Sequence, residues 1–338
     1  MFGVSISGND NNHYEVPQPP SDSISQISFC PSNDYLMAGS WSGQVQCWEI
    51  QRQGNKVNAV PKTVYQHDKP VICVDFTHDG KLLSAGCDNI AKYVQLGQNP
   101  TPITFAKHDA PIKVVKSLTS MDGFAMTGSW DKTLKFWDTR NPTGNPAANV
   151  TLPERCYDAD VTGDFISVAC AERKIALYDI KNLAQPLKLI DSPLKYQSRC
   201  ISNFIDKTGF CVGSIEGRVA IQYINDTVPP KNFTFKCHRD PQNNVYAIND
   251  ITFHPRFGTF VTMGADGMYH TWDKDAKSRV QQYKKTHPKL QVVSGRYNKD
   301  GTIFAYAVSY DWSQGPVFAS KEAHIYLHVP EDKEVSKK

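Results

Sequence analysis

The chain has 338 residues, of which 40% are hydrophobic, 21% charged and 11% aromatic, with a formal net charge of +3. This balance excludes an intrinsically disordered chain and a uniformly basic coat. It leaves room for a local basic patch. Residues 231–300 carry twelve Lys/Arg against six Asp, a net +6, and the rest of the chain is −3.

Met1–Asn12 is polar and is expected to be a disordered tail. Tyr14-Glu15-Val16 reads as a short strand with no local partner. From there one pattern recurs. A β run is followed by a turn, a second β run of small residues, an Asp-containing turn, and a third run ending in Trp or Tyr. Clear copies are Met37–Trp48, Ala125–Asp138 and Thr262–Asp273, and weaker ones begin at Ser84, Val168, Val212 and Tyr306. The small residues of the second run fall near 39, 86, 128, 169, 213, 264 and 307, at spacings of 41 to 51. Seven such units match the ~40–45-residue period of WD40 blades. Apolar and polar positions alternate, as in Thr133-Leu134-Lys135-Phe136, which is strand periodicity. The sequence predicts an all-β, seven-bladed WD40 β-propeller over 13–330. The last unit has strands near 291–297, 303–309 and 324–329 and lacks a fourth, which Tyr14-Glu15-Val16 can supply, sealing the ring. The residues 331–338 are polar and are expected to be a second disordered tail.

Each recurring residue type has a physical task. Small residues let neighbouring blades approach, and Asp at the turn (Asp88, Asp131, Asp266) bonds backbone. Trp fills space and needs a partner for its N–H. His108, Asp131 and Trp137, with Ser129 or Thr127, make a buried polar tetrad. A His/Asp/Ser grouping also suggests a hydrolytic triad, but a triad occurs once and this grouping recurs. The chain lacks G-x-x-x-x-G-K-[ST], G-x-G-x-x-G, H-E-x-x-H and G-x-S-x-G, and no enzyme activity, metal or other cofactor is expected. The nine cysteines (30, 47, 73, 87, 156, 170, 200, 211 and 237) include no C-x-x-C pair and lie mostly in apolar runs. They are expected to be reduced and buried, in a nuclear or cytosolic protein. No apolar run approaches the ~20 residues of a membrane span, so no membrane insertion is expected.

The basic stretch offers the leading site. Loop side chains of a propeller converge on a rim, which can bring Lys236, Arg239, Lys274, Lys277 and Arg279 together as a groove for an acidic peptide and a phosphate backbone. Phe233, Phe257 and Trp272 can stack on bases there. The alternative is a solvated charged face with the aromatics in the core. Trp41 and Trp130, each preceding a turn, either anchor a partner peptide or cap the next blade. The longer loop Tyr310–Lys321 is a partner contact or a tolerated insertion.

The runs Gly128–Arg140 (GSWDKTLKFWDTR), Leu152–Cys156 (LPERC), Gly213–Ile221 (GSIEGRVAI), Asn232–Arg239 (NFTFKCHR), Trp272–Lys277 (WDKDAK) and Phe304–Trp312 (FAYAVSYDW) resemble the mRNA export factor family of WD40 propellers. The likeness extends from about Asp22 to Val329. It implies binding to a hairpin-forming GLEBS segment of an FG nucleoporin at the nuclear pore, contact with single-stranded RNA, and location at the nuclear envelope with cytoplasmic shuttling. A sister family, the propeller of the spindle checkpoint, shares part of these runs and binds the same motif type in checkpoint kinases. A checkpoint scaffold with mitotic or spindle partners is therefore the alternative. Trp272–Lys277 and Tyr310–Ser313 favour the export family. The chain departs from the pattern in blade 2, where Val94 stands in place of Trp, and in the short Asp240–Asn244 segment.

Overall fold

The computed structural model describes residues 12–53, 56–97, 100–142, 144–225 and 231–338. The expected tail 1–12 lies outside the described residues, Asn12 excepted. Among the described residues the repeats fold as seven four-stranded antiparallel sheets, as the spacing predicts. In the strand Thr133–Asp138, Leu134 and Phe136 are buried and Thr133 and Lys135 are not. Five of the six residues of the preceding strand, Phe124–Ser129, are buried, because sheets press on both of its faces. That is why its residues are small. A Cβ on Gly128 would sit 2.7 Å from the Cys156 sulfur of the next blade.

Blades 1 to 6 draw their strands from 24–66, 71–107, 112–151, 156–191, 198–236 and 248–282, each stepping from an inner strand to an outer one. Blade 7 is built of Gln291–Tyr297, Phe304–Ser309 and Ala323–His328, and its outer strand is His13–Glu15. That strand runs antiparallel to Ala323–His328 with Tyr14 opposite Leu327. Val16 N–H donates to the Ile325 carbonyl at 2.8 Å, and Val329 N–H to that of Asn12 at 3.1 Å. The seal joins the two ends of the chain and covers an open sheet edge.

The inner strands touch in one closed circle around a central channel. Side chains tie one blade to the next. Gln26 accepts the Val74 N–H at 2.9 Å and Asp75 that of Ser117 at 2.9 Å. Asp158 and Asp160 accept the N–H groups of Ile201 and Asn203, both at 2.8 Å. Asp250 accepts the Ser294 hydroxyl at 2.8 Å, and the Ser294 oxygen accepts the Ile27 N–H at 3.2 Å across the closing junction.

Chain reversals lie on two faces. The upper face carries the turns between second and third strands and the links between blades, and the lower face carries the remaining turns. Every inner strand has a register shift near its upper end, between Ile24 and Gln26, Val71 and Cys73, Ile112 and Val114, Cys156 and Asp158, Ser198 and Cys200, Ile248 and Asp250, and Val292 and Ser294. Such a bulge leaves one residue unpaired and re-aims its side chain.

The C-terminal residues depart from expectation. Glu331 and Glu334 form a capping box on the one-turn helix Asp332–Val335. Val335 is 2% exposed, its carbonyl accepts the Thr259 hydroxyl, and Glu334 lies 3.3 Å from His328 Nε2. A single apolar side chain, hidden in a polar segment, finds a pocket against blades 6 and 7. All nine cysteines are free, and only Cys87 is half-exposed.

Candidate partner-binding surfaces

Polar tetrads fix the turns that present the upper face. In blade 3, His108 Nδ1 meets Asp131 at 2.8 Å and Nε2 meets the Thr127 hydroxyl at 2.7 Å. The Trp137 indole donates to the same hydroxyl at 2.7 Å. Thr127, not Ser129, is the member, and Ser129 instead caps the carbonyls of Ala110 and Pro111. Burial would push the Asp131 carboxyl up, but the Thr133 hydroxyl and His108 hold it below the usual carboxylate range. Blade 6 repeats the arrangement with His238, Asp266, Thr262 and Trp272, all at 2.9 Å. Blade 2 keeps His67, Ser84 and Asp88. In place of the missing indole, Tyr65 from blade 1 donates its hydroxyl to Ser84 at 2.8 Å. Ser84, Thr127 and Thr262 have no exposed surface, so a substrate cannot reach these hydroxyls.

The residues singled out from the basic stretch do not form one rim. Lys236, Trp272, Lys274 and Lys277 line a groove of about 120 Å³ on the wall between blades 5 and 6. Its floor is Phe233, Phe235 and Phe260. The strand Phe233–Lys236 turns Phe233 and Phe235 inward by its period of two,. Phe235 packs on Trp272 with ring centres 4.7 Å apart, and the Lys277 ammonium sits 5.0 Å from the Phe233 ring centre. Arg279 is exposed beside the groove, on the strand position opposite Trp272. Lys274 is buried, bonded to Asp275 at 2.7 Å and set 4.9 Å from the Phe204 ring centre. It is therefore a bridge within the wall and not a free cation. Phe257 lines an adjoining hollow with Lys274 on the lower face. Arg239 lies apart, in an upper-face link, where it donates to the Glu216 carbonyl at 3.1 Å.

Trp41 and Trp130 meet at the upper mouth of the channel, in a hollow of about 190 Å³. Trp130 is 40% exposed. Trp41 packs against Trp312 of the blade 7 loop, with ring centres 4.8 Å apart and planes tilted by 32°. That loop leans across the opening, with Asp311 3.9 Å from Arg199 of blade 5. Trp312 holds a left-handed φ of 60°, costly for a bulky residue, and its buried indole N–H has no hydrogen-bond partner,. Six bulge residues, Ser25, Ile72, Lys113, Arg199, Asn249 and Val293, line the same hollow. Sequence reasoning missed this set, since a bulge changes register without changing composition. It also missed Phe235, whose signal was its spacing of two from Phe233.

Seven sheets in a closed ring, with His–Asp–hydroxyl–Trp tetrads in blades 3 and 6 and aromatic, cationic hollows on wall and mouth, define a WD-repeat β-propeller. The family model "WD domain, G-beta repeat" matches residues 13–49, 59–93 and 101–138. The chain is 44% identical to Protein Rae1 of Drosophila melanogaster over 97% of its length and 96% of that protein's. It is 44% identical to mRNA export factor GLE2 of Chaetomium thermophilum, covering 93% and 90%, and 41% identical to the Poly(A)+ RNA export protein of Schizosaccharomyces pombe, covering 96% and 93%. The chain belongs to the Rae1/GLE2 family of mRNA export factors.

Proposed function

We propose that the chain is a non-enzymatic adaptor in nuclear mRNA export, which docks on a GLEBS-type hairpin of an FG nucleoporin at the nuclear pore and contacts single-stranded RNA. The names of its relatives support the export role. The observation that carries the contact is the wall groove, where an aromatic floor lies directly beneath exposed Lys236 and Lys277 with Arg279 alongside. Rings stack on bases or hold apolar side chains, and the cations take phosphates or the carboxylates of an acidic segment. Trp41 and Trp130 give the hairpin a second anchor at the channel mouth.

The test measures fluorescence anisotropy of a labelled GLEBS-type hairpin and of a labelled single-stranded oligonucleotide. K277E/R279E is suited to it, because both side chains are exposed and neither holds the core. It should weaken both ligands by about tenfold or more, with RNA binding falling steeply as salt rises. Unchanged binding of both ligands would remove the groove from the proposal. Capture of checkpoint kinases without any nucleoporin would replace the export reading with the checkpoint one.

A further inference from the structure

A cluster unrelated to either surface stands where the ring is sealed. His324 is the second residue of the third strand of blade 7, Glu15 ends the outer strand beside it, Glu322 immediately precedes the third strand, and His287 comes from the link between blades 6 and 7. His324 Nδ1 lies 2.7 Å from Glu15 Oε1. His324 Nε2 and His287 Nε2 lie 3.3 and 3.1 Å from one and the same oxygen, Glu322 Oε1. The two rings are stacked, 5.5 Å apart and tilted by 24°. His287 Nδ1 receives only a long contact from the Lys289 N–H, at 3.4 Å.

A carboxylate only accepts, so His324 must carry its proton on Nδ1 to bond Glu15. Its Nε2 lone pair then faces a second carboxylate, an arrangement that needs a cation between them. Two ligands at tetrahedral angles on zinc, each bonded at about 2.0–2.1 Å, stand about 3.3–3.4 Å apart. The two nitrogen–oxygen separations are close to that edge length. The carboxylate on the far nitrogen of His324 is the partner that orients a metal-ligating imidazole. Among the described residues the other grouping of this kind, His238, Asp266 and His270, lacks this readiness, because both nitrogens of His238 already belong to the blade 6 tetrad.

We propose that His287, His324 and Glu322 bind a divalent transition metal of the zinc type, with Glu15 orienting His324. Imidazole with carboxylate suits such ions, whereas calcium and magnesium take sets of oxygen ligands. Bound there, the metal joins three pieces of chain: the N-terminal strand, the strand it pairs with, and the preceding link. It clips the seal of the ring.

The test uses the full chain after chelator treatment, titrated with Zn²⁺ by calorimetry and with Co²⁺ by visible absorption. One equivalent should bind, and calcium or magnesium should not displace it. H324Q and, separately, H287Q should each weaken binding at least tenfold. E15Q should weaken it by about 10–100-fold, the loss expected on removing an orienting partner. Zinc should raise the thermal midpoint of the parent and not that of H324Q, whose metal-free midpoint serves as the folding control. Binding no tighter than millimolar, binding unaffected by either histidine change, or binding lost in H270Q instead would each overturn the proposal.

Discussion

Thr127 joins two buried rings through one hydroxyl, which accepts the Trp137 indole N–H and donates to Nε2 of neutral His108, whose Nδ1–H is spent on Asp131. T127V keeps the shape and removes the oxygen, leaving both ring nitrogens without a partner in the core. The expected cost is about 2–3 kcal/mol, read as a fall in the urea midpoint at unchanged slope. S129A removes a cap on the carbonyls of Ala110 and Pro111 and an acceptor for the Asp131 N–H, and should cost about 1 kcal/mol,. Equal losses would mean that the tetrad does not act as a unit. His108, Asp131 and Trp137 were legible in the sequence because they recur at blade spacing. The choice of Thr127 was not, since Thr127 and Ser129 share one side of the strand and only the depth of the indole decides between them. Nor was Tyr65, which reaches Ser84 from the outer strand of the neighbouring blade. Trp272 occupies two structural positions. Its N–H belongs to the blade 6 tetrad while part of its ring lines the wall groove.

Strands and links explain why the basic stretch divides. Lys236 and Arg239 are three residues apart, yet the chain passes between them from the outer wall to the upper face. Lys274 and Lys277 sit in the opposite turn, between the third and outer strands of blade 6. Repeat spacing gave the blades, but it cannot state which end of a strand a loop occupies until the strands are ordered. The C-terminal helix is another element that composition concealed. V335A should cost about 1–2 kcal/mol, because it trims a fully packed side chain. The same helix leads to Lys337, which meets Asp275 at 2.7 Å, the residue that also holds Lys274. A V335A chain that unfolds like the parent would show that the helix is only laid against the ring.

The ring as a whole carries histidines that the fold keeps neutral. Burial, reinforced by neighbouring His238, pulls His270 from its ordinary 6.5 down to about 3, and burial lowers His108 as well. The unfolded chain takes up these protons first, so the stability they sustain is complete above about pH 6.5 and drains away toward pH 3. His270 alone should cost about 1 kcal/mol between pH 7.5 and 5.5. H270N should flatten that decline in denaturant titrations, and parallel declines in parent and variant would contradict it. Closure was legible in the sequence because the last repeat was one strand short and Tyr14-Glu15-Val16 was left over. The repeated bulge has a separate consequence. A side chain released from the ladder carries none of the sheet's hydrogen bonds. With such positions from six of the seven blades facing a common opening, the molecule separates what holds it together from what it shows. Side chains at these positions can be exchanged one blade at a time without touching the ladder, as the teeth of a key are recut on an unchanged blank.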